Sequence, residues 1–387
     1  MFNLTTEQRA IRDGVAAVCQ RFGDEYWAEC DREGLFPHDF HRAMAQDGWL
    51  GVTMPEEFGG AGLGVTEAAI VMHTVASSGG GMTAASSIHI NMFGPHPLVV
   101  HGSAEQKSQW LPRLVRGEDQ VCFGVTEPDA GLNTTNIKTF ARKVDGGYRV
   151  SGRKMWTSTG QVANKILLLT RTAPKSEGEK PTDGITLFYT ELDRNKVEVR
   201  RIAKHGRNAV DSNAVFIDDL FVPDEHRIGE EGKGFTYLLD GINPERILVG
   251  VEAIGIGEDA LQRAVRYAQE RIVFDRPIGQ NQGIQHPLAE CWLNLQAALM
   301  MADRAAHLYD TGQPCGAEAN GTKLLGARAG YQACLQAVMT HGGMGYAKEY
   351  TVERLLREVM IARLAPVSEQ MILCFIAEKV LHLPRSY

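Results

Sequence analysis

The sequence predicts an α+β protein of three modules, which are helical, then β, then helical. Two observations lead to this prediction. The spacing of apolar residues changes from three-and-four to two and back again, and turn-forming residues cluster near the changes. The chain of 387 residues is also long enough for two or three modules that share a large core. We place the modules at residues 1–118, 119–232 and 233–387.

The first module shows helical periodicity from its start. A Gly-rich turn, "PEEFGGAGLG", interrupts the pattern near residue 60. The apolar residues near helical spacing are Leu4, Ile11, Val15, Val18 and Phe22. We therefore expect several helices before residue 118.

The second module alternates with a period of two. The segments "YRVSG", "KVEVR" and "AVFID" have this pattern, which is typical of strands. The residues Asp145 to Gly147 predict a hairpin turn. The stretch "APKSEGEKPTDG", from Ala173 to Gly184, predicts a solvated loop inside the module.

The third module returns to long amphipathic helices. Four or five helices with apolar stripes favour a bundle. The residues of the stripes are Ile247, Leu248, Val251, Ile254, Leu288, Trp292, Leu295, Leu299, Leu324, Leu325, Leu335 and Val338.

Composition limits the classes of partner and the compartment. The net charge of -7 argues against a nucleic-acid surface, so small molecules or proteins are the expected partners. The seven cysteines include no CxxC pair, which excludes a zinc site or disulfide framework of the usual kind. We find neither a targeting segment nor an uninterrupted apolar stretch of roughly 18 residues. We expect a cytoplasmic protein with no membrane partner.

Several common catalytic motifs are absent. The sequence has no GxSxG, HExxH, P-loop or full GxGxxG. The cluster "GGAGLGV" lies between helical stretches, so a dinucleotide-binding Rossmann fold is not expected. His38 and His41 have metal-like spacing, but no third ligand is near them in the sequence, and we expect no metal.

The segment "GINPERILVG" (residues 241–250) allows two interpretations of Glu245. Asn243 suits an N-cap and Pro244 the first helical position, so the acid could simply complement the helix dipole. Alternatively, Glu245 is a catalytic base. Local sequence alone favours the cap.

Four longer motifs, with their order and spacing, change that balance. They are "FGVTEPDAG" (123–131), "GRKMWTSTG" (152–160), "ERIVFDRPIGQNQGIQ" (270–285) and "HGGMGYAKEYTVERLLRE" (341–358). Together they closely resemble the acyl-CoA dehydrogenase family over nearly the whole chain. The resemblance implies a helical domain, a β-barrel-like domain and a C-terminal four-helix bundle. It also implies FAD as cofactor, an acyl-CoA substrate, an electron-transfer flavoprotein as acceptor, and a homotetramer built as a dimer of dimers.

The resemblance also assigns cofactor-binding residues. Trp156 would provide an aromatic wall for the flavin ring, while Thr126 and Ser158 would donate hydrogen bonds to its edge. Arg271 would bind the pyrophosphate of a neighbouring subunit's FAD with its planar set of donors. The full set implied for FAD is Phe123, Val125, Thr126, Trp156, Thr157, Ser158, Arg271, Phe274, Gln282, Gly342, Gly343, Ser368 and Gln370.

The position of the base departs from the commonest family pattern. Many members carry a Glu in a "Y-E-G-T" segment, whereas the stretch around Pro366, "LAPVSEQM", has no acid at that place. Isovaleryl-CoA and long-chain members carry the base in segments that resemble "PERILVG", which assigns it to Glu245. Glu245 would then remove the α-proton, FAD would take the β-hydride, and the product would be a trans-2-enoyl-CoA.

The resemblance also implies what surrounds the substrate. Leu132, Asn243 and Arg246 would contact it. The backbone N–H of Glu245 and a hydroxyl of FAD would polarise the thioester oxygen. The floor of the acyl pocket would lie near "SSIHINMFG" (86–94), where His89 and Asn91 are compatible with a polar acyl tail or with satisfied buried polar groups.

Three departures from the family pattern would weaken hydrogen bonds to FAD or to the CoA moiety, and other branches of the family leave other functions open. Leu132 follows Gly131 where the family has Ser, Met339 replaces a common Gln, and Asp275 replaces a usual Gly. The alternatives are an acyl-CoA oxidase, a desulfinating or decarboxylating relative, and a non-catalytic flavin or acyl-CoA binding subunit.

Overall fold

The computed structural model describes residues 4–175 and 180–386, and its first module consists of helices. Capping boxes begin two of them, where Thr5 pairs with Gln8 and Ser103 pairs with Gln106. The helices are α1 (Thr6–Cys19), α2 (Asp24–Glu33), α3 (His38–Gln46), α4 (Val65–Ala76), α5 (Gly81–Phe93), α6 (His96–His101) and α7 (Ala104–Val115).

The second module is a mostly antiparallel sheet. Its strands are β1 (Val121–Gly124), β2 (Phe140–Val144), β3 (Gly147–Ser158), β4 (Lys165–Arg171), β5 (Ile185–Glu191), β6 (Val197–Arg201), β7 (Ser212–Pro223) and β8 (Arg227–Ile228). Their order is β6-β7-β3-β2-β4-β5-β8, and β1 pairs in parallel with β4. The predicted hairpin turn is confirmed, since Val144 pairs with Gly147 and Gly146 has a φ of 70°. Of the predicted loop at 173–184, residues 176–179 lie outside the described ranges.

The third module is helical again and begins directly after the sheet. Its helices are α8 (Gly234–Asp240), α9 (Ile242–Glu270), α10 (Gln282–Asp310), α11 (Gly316–His341), α12 (Val352–Leu364) and α13 (Glu369–Phe375). A short hairpin, β9 (Ile272–Val273) and β10 (Arg276–Pro277), connects α9 to α10. The α+β architecture expected from the sequence is confirmed.

One segment is more apolar than we expected. Within residues 4–175 and 180–386, Val352–Val380 is long and apolar enough to cross a membrane by length and composition. The helical path is broken inside it, because α12 ends at Leu364 and α13 begins at Glu369. A continuous span of helix is therefore not present there.

The first and third modules share one hydrophobic core. That cluster runs from Val15 through the apolar face of α4 and α5 to α9, α10, α11 and α12. Two smaller clusters lie on the faces of the sheet, and one of them includes side chains of α7. Because the helical modules bury their apolar faces against each other, each depends on the other for its core.

Helices α9 and α11 approach each other at glycines. A Cβ on Gly330 would lie 2.1 Å from the carbonyl oxygen of Ala253, and one on Gly326 would lie 2.5 Å from that of Gly250. No side chain fits in these gaps, so the two backbones are nearly in contact. This contact fixes the position of α9 in the bundle.

The start of α9 differs from our prediction. Helix α9 begins at Ile242, and Gly241 before it is helical, with φ −81° and ψ −9°. The predicted N-cap at Asn243 is therefore wrong, because α8 leads almost directly into α9. Pro244 is tolerated because the first backbone N–H groups of a helix have no intrahelical acceptor.

Candidate active site

Glu245 lies near the start of α9 and faces a buried histidine. His89 Nε2 is 2.8 Å from Glu245 Oε2, and His89 Nδ1 is 2.5 Å from Glu252 Oε1. The side chain of Glu245 is 31% exposed, whereas those of His89 and Glu252 are buried. The carboxylate therefore has one side held by the protein and one side open.

This geometry bears on the interpretation of Glu245 as a helix cap. The backbone N–H of Glu245 already donates to the Gly241 carbonyl at 3.2 Å, within the helix, and its carboxylate binds a side chain on α5. A capping carboxylate would instead accept from backbone N–H groups in the first turn. The Glu245 carboxylate is thus held by His89 rather than by capping hydrogen bonds, while its charge still complements the dipole in the first turn of α9.

The same contact corrects a second expectation. Because the Glu245 N–H donates to Gly241, it is not the free donor expected to polarise the thioester oxygen. Here the amide belongs to the helix.

The charges of the cluster support each other. Burial lowers the pKa of His89, but Glu245 and Glu252 outweigh it and raise that pKa well above its ordinary value. Burial raises the pKa of Glu245, but the charge and hydrogen bond of His89 outweigh burial and lower it. The ring is therefore an imidazolium, a donor at both nitrogens, between two carboxylates.

The segment from Trp156 to Ser158 forms the end of β3. Trp156 has a φ of 61°, follows a register shift in the β3–β7 pairing and leaves its indole 56% exposed. Thr157 is fully buried, and its hydroxyl lacks a partner in the part of the chain that the structure describes. The indole presented to solvent and the unpaired hydroxyl fit a site that a planar cofactor covers.

Arg207 connects this segment to α5, a contact that we did not predict. Its guanidinium donates to the hydroxyls of Ser158 at 3.1 Å, Ser212 at 3.3 Å and Ser86 at 3.0 Å. Ser86 is three residues before His89 on α5. The cation thus joins strands β3 and β7 to the helix that holds the Glu245 partner.

Hydrogen bonds from β3 hold the loop after β1 in place. The Thr126 carbonyl accepts from the Met155 N–H at 2.8 Å, and Lys154 Nζ lies 3.1 Å from the Val125 carbonyl oxygen. Phe123 and Val125 pack against the core cluster on one face of the sheet. The structure therefore brings the predicted "TEP" and "W-x-[ST]" segments together.

A second group of predicted residues lies apart, on the surface of the third module. Phe274 is 93% exposed with a φ of 50°, and Asp275 follows with a φ of 62°. A glycine, expected at position 275 from the resemblance, would suit this left-handed region, and Asp is one of the few other residues that tolerate it. The other exposed members are Arg271, Gln282, Gly342 and Gly343.

The remaining predicted residues have mixed positions. Ser368 caps α13 by accepting from the Met371 N–H, and Gln370 is exposed next to it. Arg246 donates to Asn243 Oδ1 at 3.0 Å on the first turn of α9. Leu132 and Met339, the two apolar departures, are both exposed.

His89 and Asn91 do not support a polar acyl tail. Both ring nitrogens of His89 are used by carboxylates. Asn91 donates to the Asp119 carbonyl at 2.7 Å and accepts from the Val121 N–H at 3.1 Å, which ties α5 to β1. They are satisfied buried polar groups, one of the two alternatives for these residues.

Comparison with known proteins identifies the family. Models of the N-terminal, middle and C-terminal domains of acyl-CoA dehydrogenases match residues 5–118, 122–220 and 232–381. The chain therefore belongs to the acyl-CoA dehydrogenase family. It is an FAD-dependent oxidoreductase of that family, as expected from the four motifs.

Individual relatives cover nearly the whole chain. Acyl-CoA dehydrogenase FadE12 of Mycobacterium tuberculosis (strain ATCC 25618 / H37Rv) is 35% identical over 98% of this chain and 97% of its own. The mitochondrial isovaleryl-CoA dehydrogenase of Oryza sativa subsp. japonica is 33% identical over 93% and 87%. The structure of butyryl-CoA dehydrogenase from Megasphaera elsdenii is similar with a TM-score of 0.93, 27% identity, and coverage of 98% and 100%.

Proposed function

We propose that this protein dehydrogenates an acyl-CoA thioester to a trans-2-enoyl-CoA, with Glu245 as the base for the α-proton. The observation that carries the proposal is the partly exposed Glu245 carboxylate, which a buried histidine orients from one side. Family membership supports the substrate class and the cofactor.

The residues present can hold FAD. Trp156, Thr157 and Ser158 would lie against the flavin, with Thr126 on the neighbouring loop, and the exposed Arg271 and Phe274 suit a cofactor shared with a second subunit. When bound, FAD supplies the acceptor for the β-hydride. Glycines 342 and 343, with open space around their Cα atoms, allow close approach of such a ligand.

The chain's own part in the reaction is proton removal. Glu245 is ionised at neutral pH because His89 lowers its pKa, so it can accept a proton without a prior deprotonation step. Oε2 is engaged by His89, which leaves Oε1 to receive the α-proton. A fixed carboxylate of this kind contributes through both orientation and acid–base catalysis.

Anaerobic flavin bleaching with a panel of acyl-CoA thioesters tests the proposal. In Glu245→Gln, we expect the bleaching rate to fall about 10² to 10⁴-fold, because the amide cannot accept the proton. The matched control is Glu270→Gln, at the exposed far end of the same helix, which should bleach like the unmodified protein.

The outcomes separate the alternatives. Retained bleaching in Glu245→Gln would exclude this base, and a flavoprotein that no acyl-CoA bleaches would be a binding subunit. Rapid reoxidation by air after bleaching would indicate an oxidase, whereas slow reoxidation fits our proposed acceptor, an electron-transfer flavoprotein. Release of CO₂ or sulfite would indicate a decarboxylating or desulfinating enzyme.

We further propose a homotetramer in the cytoplasm. The exposed apolar side chains of the third module, including Trp292 and Leu293 on α10, support the association of subunits. The seven cysteines are all free thiols, as suits a reducing compartment.

A further inference from the structure

We propose that His89 and Glu252 are positioning residues for the base, forming a buried chain Glu252–His89–Glu245 that orients Glu245 and keeps it ionised. The proposal rests on the proposed function, in which Glu245 removes the α-proton. None of the motifs that identify the family includes His89 or Glu252.

The geometry of the chain is specific. Glu245 and Glu252 are seven residues apart, about two turns of α9, so they lie on the same face of the helix. The single ring of His89, on α5, reaches both, with distances of 2.8 Å and 2.5 Å. Glu245 cannot turn away without breaking a charged hydrogen bond, and His89 cannot turn without breaking two.

Burial makes Glu252 necessary to this arrangement. The side chains of His89 and Glu252 are 8% and 2% exposed, so a charged ring there requires a nearby anion. Glu252 supplies it from the inner side, where no substrate can reach. Glu245, on the outer side, can then lose its charge during the reaction while the ring keeps a counter-ion.

Other charged groups surround the chain at a greater distance. Arg207 contacts Ser86 on α5, and its charge interacts with Glu252. Glu358 on α12 accepts hydrogen bonds from the backbone and hydroxyl of Thr83, and Arg354 on the same helix pairs with Glu358. None of these groups bonds His89 in the described part of the chain, so Glu245 and Glu252 dominate its charge state.

The α-proton of the substrate is transferred to Glu245, and the charges of the three groups balance as follows. In the resting state the three groups carry a net charge of about −1, from two carboxylates and one imidazolium. The α-proton of the substrate passes to Glu245, which brings the net charge to zero, and leaves to solvent after the product departs. His89 keeps its proton throughout.

Exchange of the substrate α-proton with D₂O, measured against pH on the FAD-loaded enzyme, tests the proposal. An acyl-CoA analogue with sulfur in place of the β carbon isolates this step, since it has no β-hydride to lose. In His89→Gln the amide still donates to Glu245 but carries no charge. Because the lost imidazolium no longer lowers the pKa of Glu245, we expect the acid limb of the exchange profile to move to higher pH. On that limb, exchange should be about tenfold slower for each unit by which the Glu245 pKa rises.

Two further variants complete the test. Glu252→Gln should move the limb to lower pH, because protonation of Glu245 would then leave the buried imidazolium of His89 without a counter-ion. The double variant H89Q/E252Q removes both charges and is close in shape to the original pair. It should move the limb to higher pH, as His89→Gln does, because the lost imidazolium is the charge that contacts Glu245 directly. It keeps the test available if a single variant folds poorly. Ser87→Ala is the control and should keep the original profile, because Ser87 is also buried on α5 and its hydroxyl donates to the Ala84 carbonyl.

The results distinguish the two proposals. A uniform loss of exchange at every pH in the folded variants, or an unchanged profile, would show that His89 and Glu252 are only structural. If Glu245→Gln retained exchange, the proposed function itself would be wrong. Loss of exchange in Glu245→Gln together with a displaced limb in the other variants supports both.

Discussion

Glu127 follows Thr126 in the loop after β1, and its carboxylate accepts three hydrogen bonds. Its carboxylate accepts from the backbone N–H groups of Lys138 and Thr139 and from Lys154 Nζ, at 2.6, 3.0 and 2.9 Å. The side chain of Lys154 is fully buried, and burial lowers its pKa to about 8 despite the neighbouring carboxylate. We therefore assign the Lys154–Glu127 pair a structural role, which is to hold the loop that carries Thr126.

We expect Lys154→Met to destabilise the protein by about 3–5 kcal/mol, because it leaves the Glu127 charge buried without a cation. The shift in the denaturation midpoint of the FAD-loaded protein measures the effect. Lys138→Met is the control: Lys138 pairs with Asp129 at the surface and its removal should change the midpoint little. Equal midpoints for both variants would contradict this account.

At the residue scale the sequence predicted Glu245 but not its partners. The motif placed the acid, and the seven-residue spacing to Glu252 on an apolar helix was visible as a signal. The contact with His89 was not, because 156 residues separate the two in the chain. Arg207 was missed for the same reason: Ser86 is 121 residues away from it and joins it only through the fold.

At the scale of elements, the packing of α9 against α11 determines where Glu245 and Glu252 lie. We expect Gly330→Ala to destabilise the protein by about 1–3 kcal/mol, because its Cβ would overlap the Ala253 carbonyl oxygen. The same displacement of α9 should slow flavin bleaching. Thermal unfolding and bleaching, measured together, check both effects.

The control for that prediction is another glycine on α11. A Cβ on Gly321 would meet only the flexible Met301 side chain, at 3.4 Å. Gly321→Ala should therefore be neutral or stabilising by up to about 1 kcal/mol, through its better helix propensity. If it were as harmful as Gly330→Ala, helix contact would not be the cause.

The start of α9 shows the limit of local rules for an element. Asn-Pro-Glu is a good helix beginning, yet α8 and a helical Gly241 come directly before it, so the helical path starts earlier. Capping preferences describe a chain entering a helix from an extended segment. They could not show that another helix occupies that place.

At the scale of the whole molecule, large apolar side chains remain exposed on the third module. On α10 they include Trp292, Leu293 and Met300, and on the hairpin after α9 they include Ile272 and Phe274. Large exposed apolar side chains are typical of subunit interfaces. The proposed tetramer would bury it.

We expect the double variant W292E/L293E to reduce the assembly to smaller species, because two buried charges without partners oppose association. Light scattering coupled to size-exclusion chromatography measures the mass. Leu35→Glu, at an exposed apolar residue of the first module, is the control and should leave the mass unchanged. A monomeric unmodified protein would contradict the tetramer directly.

The modular order was predictable from the change of period along the chain, because strands and helices place apolar residues at different spacings. The single core that joins Val15 to Ile254 was not, since periodicity shows that a face is apolar but not which other face covers it. Ordering α5 against α9 required the three-dimensional packing.

The three hydroxyls around Arg207 have a consequence for how such a protein could be recombined. Ser86 belongs to the first module, and Ser158 and Ser212 belong to the second. His89, one turn further along α5, binds the Glu245 carboxylate of the third module. A chimaera in which one module came from a relative would lose hydrogen bonds between modules, unless the relative had the same residues. A functional hybrid would need the matching serine, histidine or acid in the module that faces the exchanged one.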